Sequence, residues 1–136
     1  MDRSENMRRI QSRNTKPEII LRHALHNAGF RYGLNNKTVP GHPDLWLKKW
    51  NTAVFVNGCF WHRHSGCKYA YFPNSNVEFW TTKFESNIKR DETVRRQLLE
   101  KGIRQLIVWE CSLKNSPDIA EKVREFLMSE EQFMEI

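Results

Sequence analysis

Apolar residues recur every three or four positions in three segments of the chain, which is the spacing of one helix face. The first segment follows a capping-box pattern, because Thr15 can cap the helix and Glu18 takes the matching position. Pro17 suits the first turn, and Gly29 ends the helix. A short basic helix is expected earlier, over residues 4–13.

The other two helices follow later in the chain. Ser75 and Glu78 form a second capping-box pattern, and the helix that they open ends at Gly102. Its predicted apolar face comprises Val77, Trp80, Phe84, Ile88, Val94 and Leu98. A last helix is expected from Ser116-Pro117 to about Met128.

Short apolar runs predict strands between these helices. Residues 43–49 and 52–57 are predicted to form two strands joined by a turn, and residues 104–110 are typical of a buried strand. Residues 129–136 give no clear signal. The order helix, strands, helix, strand, helix predicts an α/β layered domain, and a chain of 136 residues fits one domain.

The chain is basic, with 22 Lys and Arg residues against 16 Asp and Glu residues and a net charge of +6. A small basic domain often binds nucleic acid, although a ribosomal or otherwise solvated basic protein has the same balance. Cations such as Lys89 and Arg90 would bind phosphates or form an ordinary solvated face. The sequence has neither a long apolar run nor a signal-peptide pattern, so we expect no membrane span and a cytoplasmic location.

Three cysteines and one histidine provide a complete ligand set for Zn²⁺. Thiols stay reduced in the cytoplasm, so these cysteines are expected to bind a metal or to be buried, and not to form disulfides. Cys59 and Cys67 lie in one loop with histidines, and Cys111 follows 44 residues after Cys67. Four protein ligands close a tetrahedral site, which would make this zinc structural. The spacing leaves either His62 or His64 as the fourth ligand.

Two further features indicate chemistry at the ends of the predicted strands. The loop after residues 52–57 holds histidines, which exchange protons near neutral pH. It also holds Phe60 and Trp61, which either pack in the core or stack on bases. Asp44 starts a predicted strand, and together with a glutamate on an early helix it is typical of a nuclease site for Mg²⁺.

Five motifs lie in order along residues 2–113. They are Ser4-x-Asn6-Met7-Arg8, Val39-Pro40-Gly41-His42-Pro43-Asp44, Asn57-Gly58-Cys59-Phe60-Trp61-His62, Glu78-Phe79-Trp80 and Val108-Trp109-Glu110-Cys111. Together they resemble the Vsr family, the very-short-patch-repair endonucleases of bacteria. The runs NGCFWHRHSGC and IVWEC are highly specific for this resemblance.

The resemblance implies an α/β fold related to the PD-(D/E)xK restriction enzymes, with a central mixed sheet flanked by helices. It implies one domain over residues 1–136, in which residues 1–14 contact DNA and residues 129–136 form a tail. The implied activity is a magnesium-dependent nick in double-stranded DNA, 5′ to the thymine of a T·G mismatch that arises when 5-methylcytosine deaminates. A monomer would make this nick, and a polymerase and a ligase would complete the repair.

The resemblance also implies an active site. Asp44 and the backbone carbonyl of Val56 match the magnesium ligands, and Glu18 matches a glutamate that supports the water around the metal. His62 matches the general base for the attacking water. Asn57 stands where the best-known family pattern has a second active-site histidine, and an amide cannot carry a proton or a charge at neutral pH.

Zinc and DNA contacts complete the implied set. The matching zinc ligands are Cys59, His64, Cys67 and Cys111. The matching DNA contacts are an aromatic wedge of Phe60, Trp61 and Trp80 and an N-terminal segment that carries Met7 and Ile10. The zinc loop is one residue longer than the family form at Ser65-Gly66, which a glycine can absorb. A zinc-containing mismatch-binding module without catalysis and a nuclease of the same fold with another target remain as alternatives.

Overall fold

Five strands form one mixed sheet, and helices cover both of its faces. The computed structural model describes residues 15–115 and 117–136. Its strands lie across the sheet in sequence order: β1 (Gly33–Leu34), β2 (Leu45–Leu47), β3 (Thr52–Asn57), β4 (Arg104–Trp109) and β5 (Phe133–Glu135). The helices of this part of the chain are α1 (Lys16–Asn27), α2 (Val77–Glu100), α3 (Glu110–Asn115) and α4 (Ile119–Met128). Neighbouring strands from β1 to β3 pair antiparallel, and those from β3 to β5 pair parallel.

Strand β3 is buried on both faces, and this position organises the core. Val54 lies in a core cluster with residues of α1 and α4, including Leu21 and Phe126. Ala53, which points to the other face of the strand, lies in a second cluster with Leu98 of α2. Burial of each large aliphatic side chain contributes about 2 kcal/mol. The sheet is therefore held between α1 and α4 on one side and α2 on the other.

The starts of the first two helices are confirmed to within two residues, but their caps differ from the prediction. The helix α1 begins after Thr15 as expected, yet the Thr15 side chain makes no capping hydrogen bond. Glu18 bonds instead to Arg22, with its Oε2 atom 3.2 Å from Nη2. The helix α2 begins after Asn76, whose left-handed backbone (φ 54°) takes the place of the expected cap at Ser75.

The buried face of α2 contains polar residues that the apolar pattern did not predict. Three members of the predicted face are buried: Trp80, Phe84 and Leu98. Val77 and Ile88 are 52% and 40% exposed, however. A helix turns once every 3.6 residues, so the stripe that faces the domain runs through the buried Asn87 and the half-buried Asp91 and not through Ile88. The stripe stays polar there because both side chains bond to the loop that follows β3.

The long strands are predicted well and the short ones are not. The bounds of β3 are confirmed, and β4 ends one residue earlier than predicted because Glu110 begins α3. The strand β2 is only three residues long, since a 3₁₀ turn at Lys48–Trp50 follows it directly. The pattern does not predict β1 or β5, which have two and three residues. The last helix begins at Ile119, three residues later than predicted.

These elements form a single small α/β domain, as predicted. Its sheet is mixed and flanked by helices, which also agrees with the expectation. Within residues 15–115 and 117–136, none of the helices has the length and apolar character that crossing a membrane requires.

Candidate active site

The sheet brings Asp44 beside the end of β3. The backbone N–H of Val56 donates a hydrogen bond of 2.7 Å to Asp44 Oδ2. Asp44 follows a tight turn in which the His42 N–H bonds to the Val39 carbonyl oxygen. Gly41 in this turn has a φ of +81°, and a Cβ atom there would lie 2.6 Å from Val94 Cγ1 of α2. Only glycine lets the turn approach α2 so closely, so this motif fixes the carboxylate against the strand.

A cavity of about 650 Å³ opens at this edge of the sheet. It brings together every residue that the sequence assigns to the magnesium and hydrolytic site: Glu18, Asp44, Val56, Asn57 and His62. Two acidic residues that were not predicted, Asp91 and Glu110, line the same cavity. The cavity therefore combines four carboxylates with two histidines and two side-chain amides.

Burial perturbs the Asp44 carboxyl. Its pKa rises from 3.8 to about 6, chiefly because burial disfavours the charged form, and the negative charge of Glu18 adds to this rise. The Val56 N–H, His62 and Arg22 oppose it. Glu18 itself is 3% exposed. A half-buried carboxylate that is repelled by a buried one favours a nearby cation, and carboxylate oxygens are the ligands that a hard cation prefers.

His62 is held by a carboxylate from α2. Its Nδ1 atom lies 2.7 Å from Asp91 Oδ2, and since an ionised carboxylate only accepts hydrogen bonds, Nδ1–H donates. The other ring nitrogen, Nε2, is then free to take a proton. The adjacent carbonyl oxygen of Trp61 accepts a hydrogen bond of 3.1 Å from Asn87 Nδ2. Two contacts with α2 therefore fix the position and the tautomer of this imidazole.

Three cysteines and His64 form a second cluster beside this loop. The ligand atoms of Cys59, His64, Cys67 and Cys111 all lie within 4.8 Å of one another. Zn–S bonds of about 2.3 Å place two sulfurs of a tetrahedral site about 3.8 Å apart, so this spacing fits a metal ion such as Zn²⁺. None of these three cysteines forms a disulfide. The geometry thus selects His64, because His62 is bound to Asp91.

The electrostatics of the cluster also suit a cation. Burial and the neighbouring thiol of Cys111 raise the pKa of Cys59 to about 12, whereas a backbone hydrogen bond from Tyr69 lowers that of Cys67. Thiolates crowded in this way need a positive charge to balance them. The His64 ring stacks on Trp109 at 4.1 Å, which fixes the plane of this ligand.

The predicted wedge residues contact one another, but they differ in exposure. The Phe60 ring lies 5.4 Å from Trp61 and 5.3 Å from Trp80. Phe60 and Trp61 are half-buried, whereas Trp80 is only 2% exposed. The neighbouring Phe79 is 53% exposed. In this conformation Trp80 supports the two other rings from beneath.

An arginine holds the aromatic loop in place. The Arg63 guanidinium donates hydrogen bonds to the carbonyl oxygens of Phe60, Ala70 and Tyr71. It also lies 4.0 Å from the centre of the Phe84 ring, and burial lowers its pKa. The remaining predicted DNA contacts, Met7 and Ile10, lie outside the residues that the structure describes.

Known proteins are similar in sequence to this chain over most of its length. Residues 1–68 match the family model described as DNA mismatch endonuclease Vsr. The type II nicking enzyme V.NmeAIP of Neisseria meningitidis is 42% identical over 121 residues, which cover 89% of this chain and 86% of that protein. The DNA mismatch endonuclease Vsr of Escherichia coli (strain K12) is 36% identical over 120 residues, which cover 88% of this chain and 76% of that protein. The chain belongs to the Vsr family.

This Vsr-family chain is therefore a DNA mismatch endonuclease, and its partner is DNA. Two features of its cavity were not predicted from the sequence. Asp91 could have been found as a polar position within the buried stripe of α2. Glu110 could have been found from its place at the end of β4, where the parallel strand ends beside β3.

Proposed function

We propose that this Vsr-family chain nicks double-stranded DNA 5′ to the thymine of a T·G mismatch, in a reaction that requires Mg²⁺. The observation that carries the proposal is the single cavity shared by the carboxylates of Asp44 and Glu18 and by the His62–Asp91 pair. Oxygen ligands for a metal and an oriented imidazole are the groups that metal-assisted hydrolysis of a phosphodiester uses.

Asp44 and the backbone carbonyl of Val56 would hold the magnesium ion, and Glu18 would support the water around it. The raised pKa of Asp44 supports this assignment, because burial and, to a smaller extent, the charge of Glu18 disfavour the ionised carboxyl unless a cation is present. When bound, Mg²⁺ supplies positive charge to the phosphate while negative charge grows there.

The residues of the chain then act on water and phosphate. His62 takes a proton from the attacking water through Nε2, because Asp91 holds Nδ1. The water oxygen bonds to phosphorus, and the bond between phosphorus and the 3′ oxygen breaks. The 3′ oxygen takes a proton from solvent, which leaves a 3′-hydroxyl and a 5′-phosphate. Asn57 can donate a hydrogen bond to a phosphate oxygen but has no proton to transfer.

The mismatch is recognised, in this proposal, through its deformability. Phe60 and Trp61 would enter the duplex from the major groove beside the mismatch, with Trp80 beneath them. Residues 1–14, including Met7 and Ile10, would contact the minor groove. Unstacking costs a few kcal/mol for each step, and a wobble pair resists opening less than a sound pair. We also propose that the fold is related to the PD-(D/E)xK restriction enzymes, that Zn²⁺ fills the cysteine cluster, and that the protein acts as a monomer.

The test is a nicking assay on labelled duplexes that differ only in a T·G or T·A pair, with and without added Mg²⁺. We expect one nick, 5′ to the mismatched thymine and dependent on Mg²⁺. The Asp44→Ala variant should lose at least about 100-fold in rate, because a metal ion contributes several kcal/mol to such a transition state. Asp118→Ala, which removes an exposed carboxylate beside α4, is the matched control.

Other outcomes would contradict the proposal in distinct ways. Binding to the mismatch without cleavage would indicate a recognition module. Cleavage of the T·A duplex at an equal rate would indicate a nuclease with another target. Full activity of Asp44→Ala would remove Asp44 from the metal site.

A further inference from the structure

The charges that line the cavity are unbalanced. Four acidic residues line it: Glu18, Asp44, Asp91 and Glu110. Two of them are ion-paired with cations that do not line the cavity, Glu18 with Arg22 and Glu110 with Lys114. Among the described residues that line it, Arg90 is the only lysine or arginine. A DNA phosphate that enters the cavity would therefore meet mainly like charge, and one guanidinium is the fixed positive group available to it.

The Arg90 side chain is placed to receive such a ligand. It is exposed, and it makes no hydrogen bond or ion pair within residues 15–115 and 117–136. Other arginines are already engaged: Arg22 with Glu18, and Arg104 with backbone carbonyl oxygens near α4. Arg90 also precedes Asp91 on α2, the residue that holds the His62 imidazole. Its backbone is thus fixed one residue away from Asp91, which orients the proposed general base.

We infer that Arg90 is a further catalytic residue, which contacts a non-bridging oxygen of the scissile phosphate and stabilises the charge that grows there during cleavage. The inference rests on the proposed function. A guanidinium suits this task because its planar fork can donate two parallel hydrogen bonds to phosphate. The task falls to Arg90 because the side-chain amides of the cavity, Asn57 and Gln105, carry no charge.

The experiment compares Arg90→Ala, Arg90→Lys and the control Arg96→Ala on the T·G duplex. Arg96 is an exposed arginine on the same helix that does not line the cavity. Single-turnover rates at saturating protein report the cleavage step, and fluorescence anisotropy without Mg²⁺ reports binding. We expect Arg90→Ala to lower the cleavage rate roughly 100-fold, as the loss of one donor to a transition-state oxyanion does. Its affinity should fall about tenfold or less, because one phosphate contact is lost.

Two further readouts separate catalysis from a structural effect. Arg90→Lys keeps the charge but loses the fork, so it should recover only part of the rate. Added guanidinium ion should partly restore Arg90→Ala at constant ionic strength, and it should not accelerate Arg96→Ala. The inference is overturned if Arg90→Ala cleaves within about threefold of Arg96→Ala, since such a difference is too small for a lost transition-state contact. Wild-type protein that cleaves neither duplex would instead refute the proposed function, and this inference with it.

Discussion

Replacing Asp44 with asparagine should stabilise the metal-free protein at neutral pH. The folded protein raises the pKa of this carboxyl from 3.8 to about 6, mainly through burial. The folded chain therefore binds its proton more tightly than the unfolded chain does, so stability is highest below pH 3.8 and is lost as the pH rises through about 6. The difference between these pKa values corresponds to about 3 kcal/mol of stability lost above pH 7.

Asparagine avoids this loss because it has no charge to bury. Its side-chain oxygen can still accept the hydrogen bond that Asp44 Oδ2 receives from the Val56 N–H. We expect Asp44→Asn to be more stable than the wild type by about 3 kcal/mol at pH 8 and by about half as much at pH 5. The negative charge of Glu18 also raises the pKa of Asp44. The expected gain in stability therefore has two sources: no charge is desolvated, and the repulsion between the two carboxylates is removed.

Urea unfolding followed by tryptophan fluorescence measures this difference at pH 5 and pH 8. Magnesium should be omitted without a strong chelator, because a chelator would also strip the cysteine cluster. Asp118→Asn is the matched control, since it removes an exposed carboxylate whose nearest cation, Lys122 Nζ, is 3.9 Å away. The reasoning is refuted if Asp44→Asn is no more stable than the wild type at pH 8, or if its gain is the same at both pH values.

Two further substitutions test the metal cluster and the proposed general base. Cys111→Ala should lose bound zinc, measured by atomic absorption, and should melt at a clearly lower temperature because structural zinc contributes directly to folding; full zinc content would contradict this. Asp91→Asn should lower the cleavage rate by at least roughly 100-fold while DNA binding is retained, because the imidazole loses the carboxylate that orients it. Glu92→Gln, its exposed neighbour, should cleave normally, and equal rates for the two variants would remove Asp91 from the site.

The fold follows from the sequence where an element is long enough to show a period. The helices α1, α2 and α4 and the strands β3 and β4 span six residues or more, and each was predicted. The exception is α3, which has six residues and was not predicted. The strands β1 and β5 are fixed by pairing with a neighbour and not by their own two or three residues. The sequence did not predict the helix caps correctly. Thr15 and Ser75 have side chains that can cap a helix, but Thr15 makes no capping hydrogen bond and Asn76 takes the place of Ser75.

The candidate site was predictable where its residues are close in sequence or of a distinctive type. Three cysteines with a histidine define the cluster from composition and spacing alone. Spacing alone leaves His62 and His64 as alternatives, and only the family resemblance names His64. In the structure the two histidines differ because His62 bonds to Asp91, which lies 29 residues from it along the chain. Contacts of that separation arise from packing a helix on a sheet, and a single sequence carries no direct signal for them.

The metal cluster and the proposed general base share one loop, and this has a consequence for catalysis. Cys59 and His64, two of the four cluster residues, lie on either side of His62. The backbone between them is a tight turn, in which the N–H of His62 bonds to the Gly58 carbonyl oxygen and that of His64 to the Cys59 carbonyl oxygen. If the cluster residues move, His62 should move with them because it lies in the same turn. Asp91 lies on helix α2 and would stay in place, so the bond between His62 and Asp91 would be lost. Because a displacement of about 1 Å can cost 100-fold in rate, loss of zinc should impair cleavage even under conditions in which the protein stays folded.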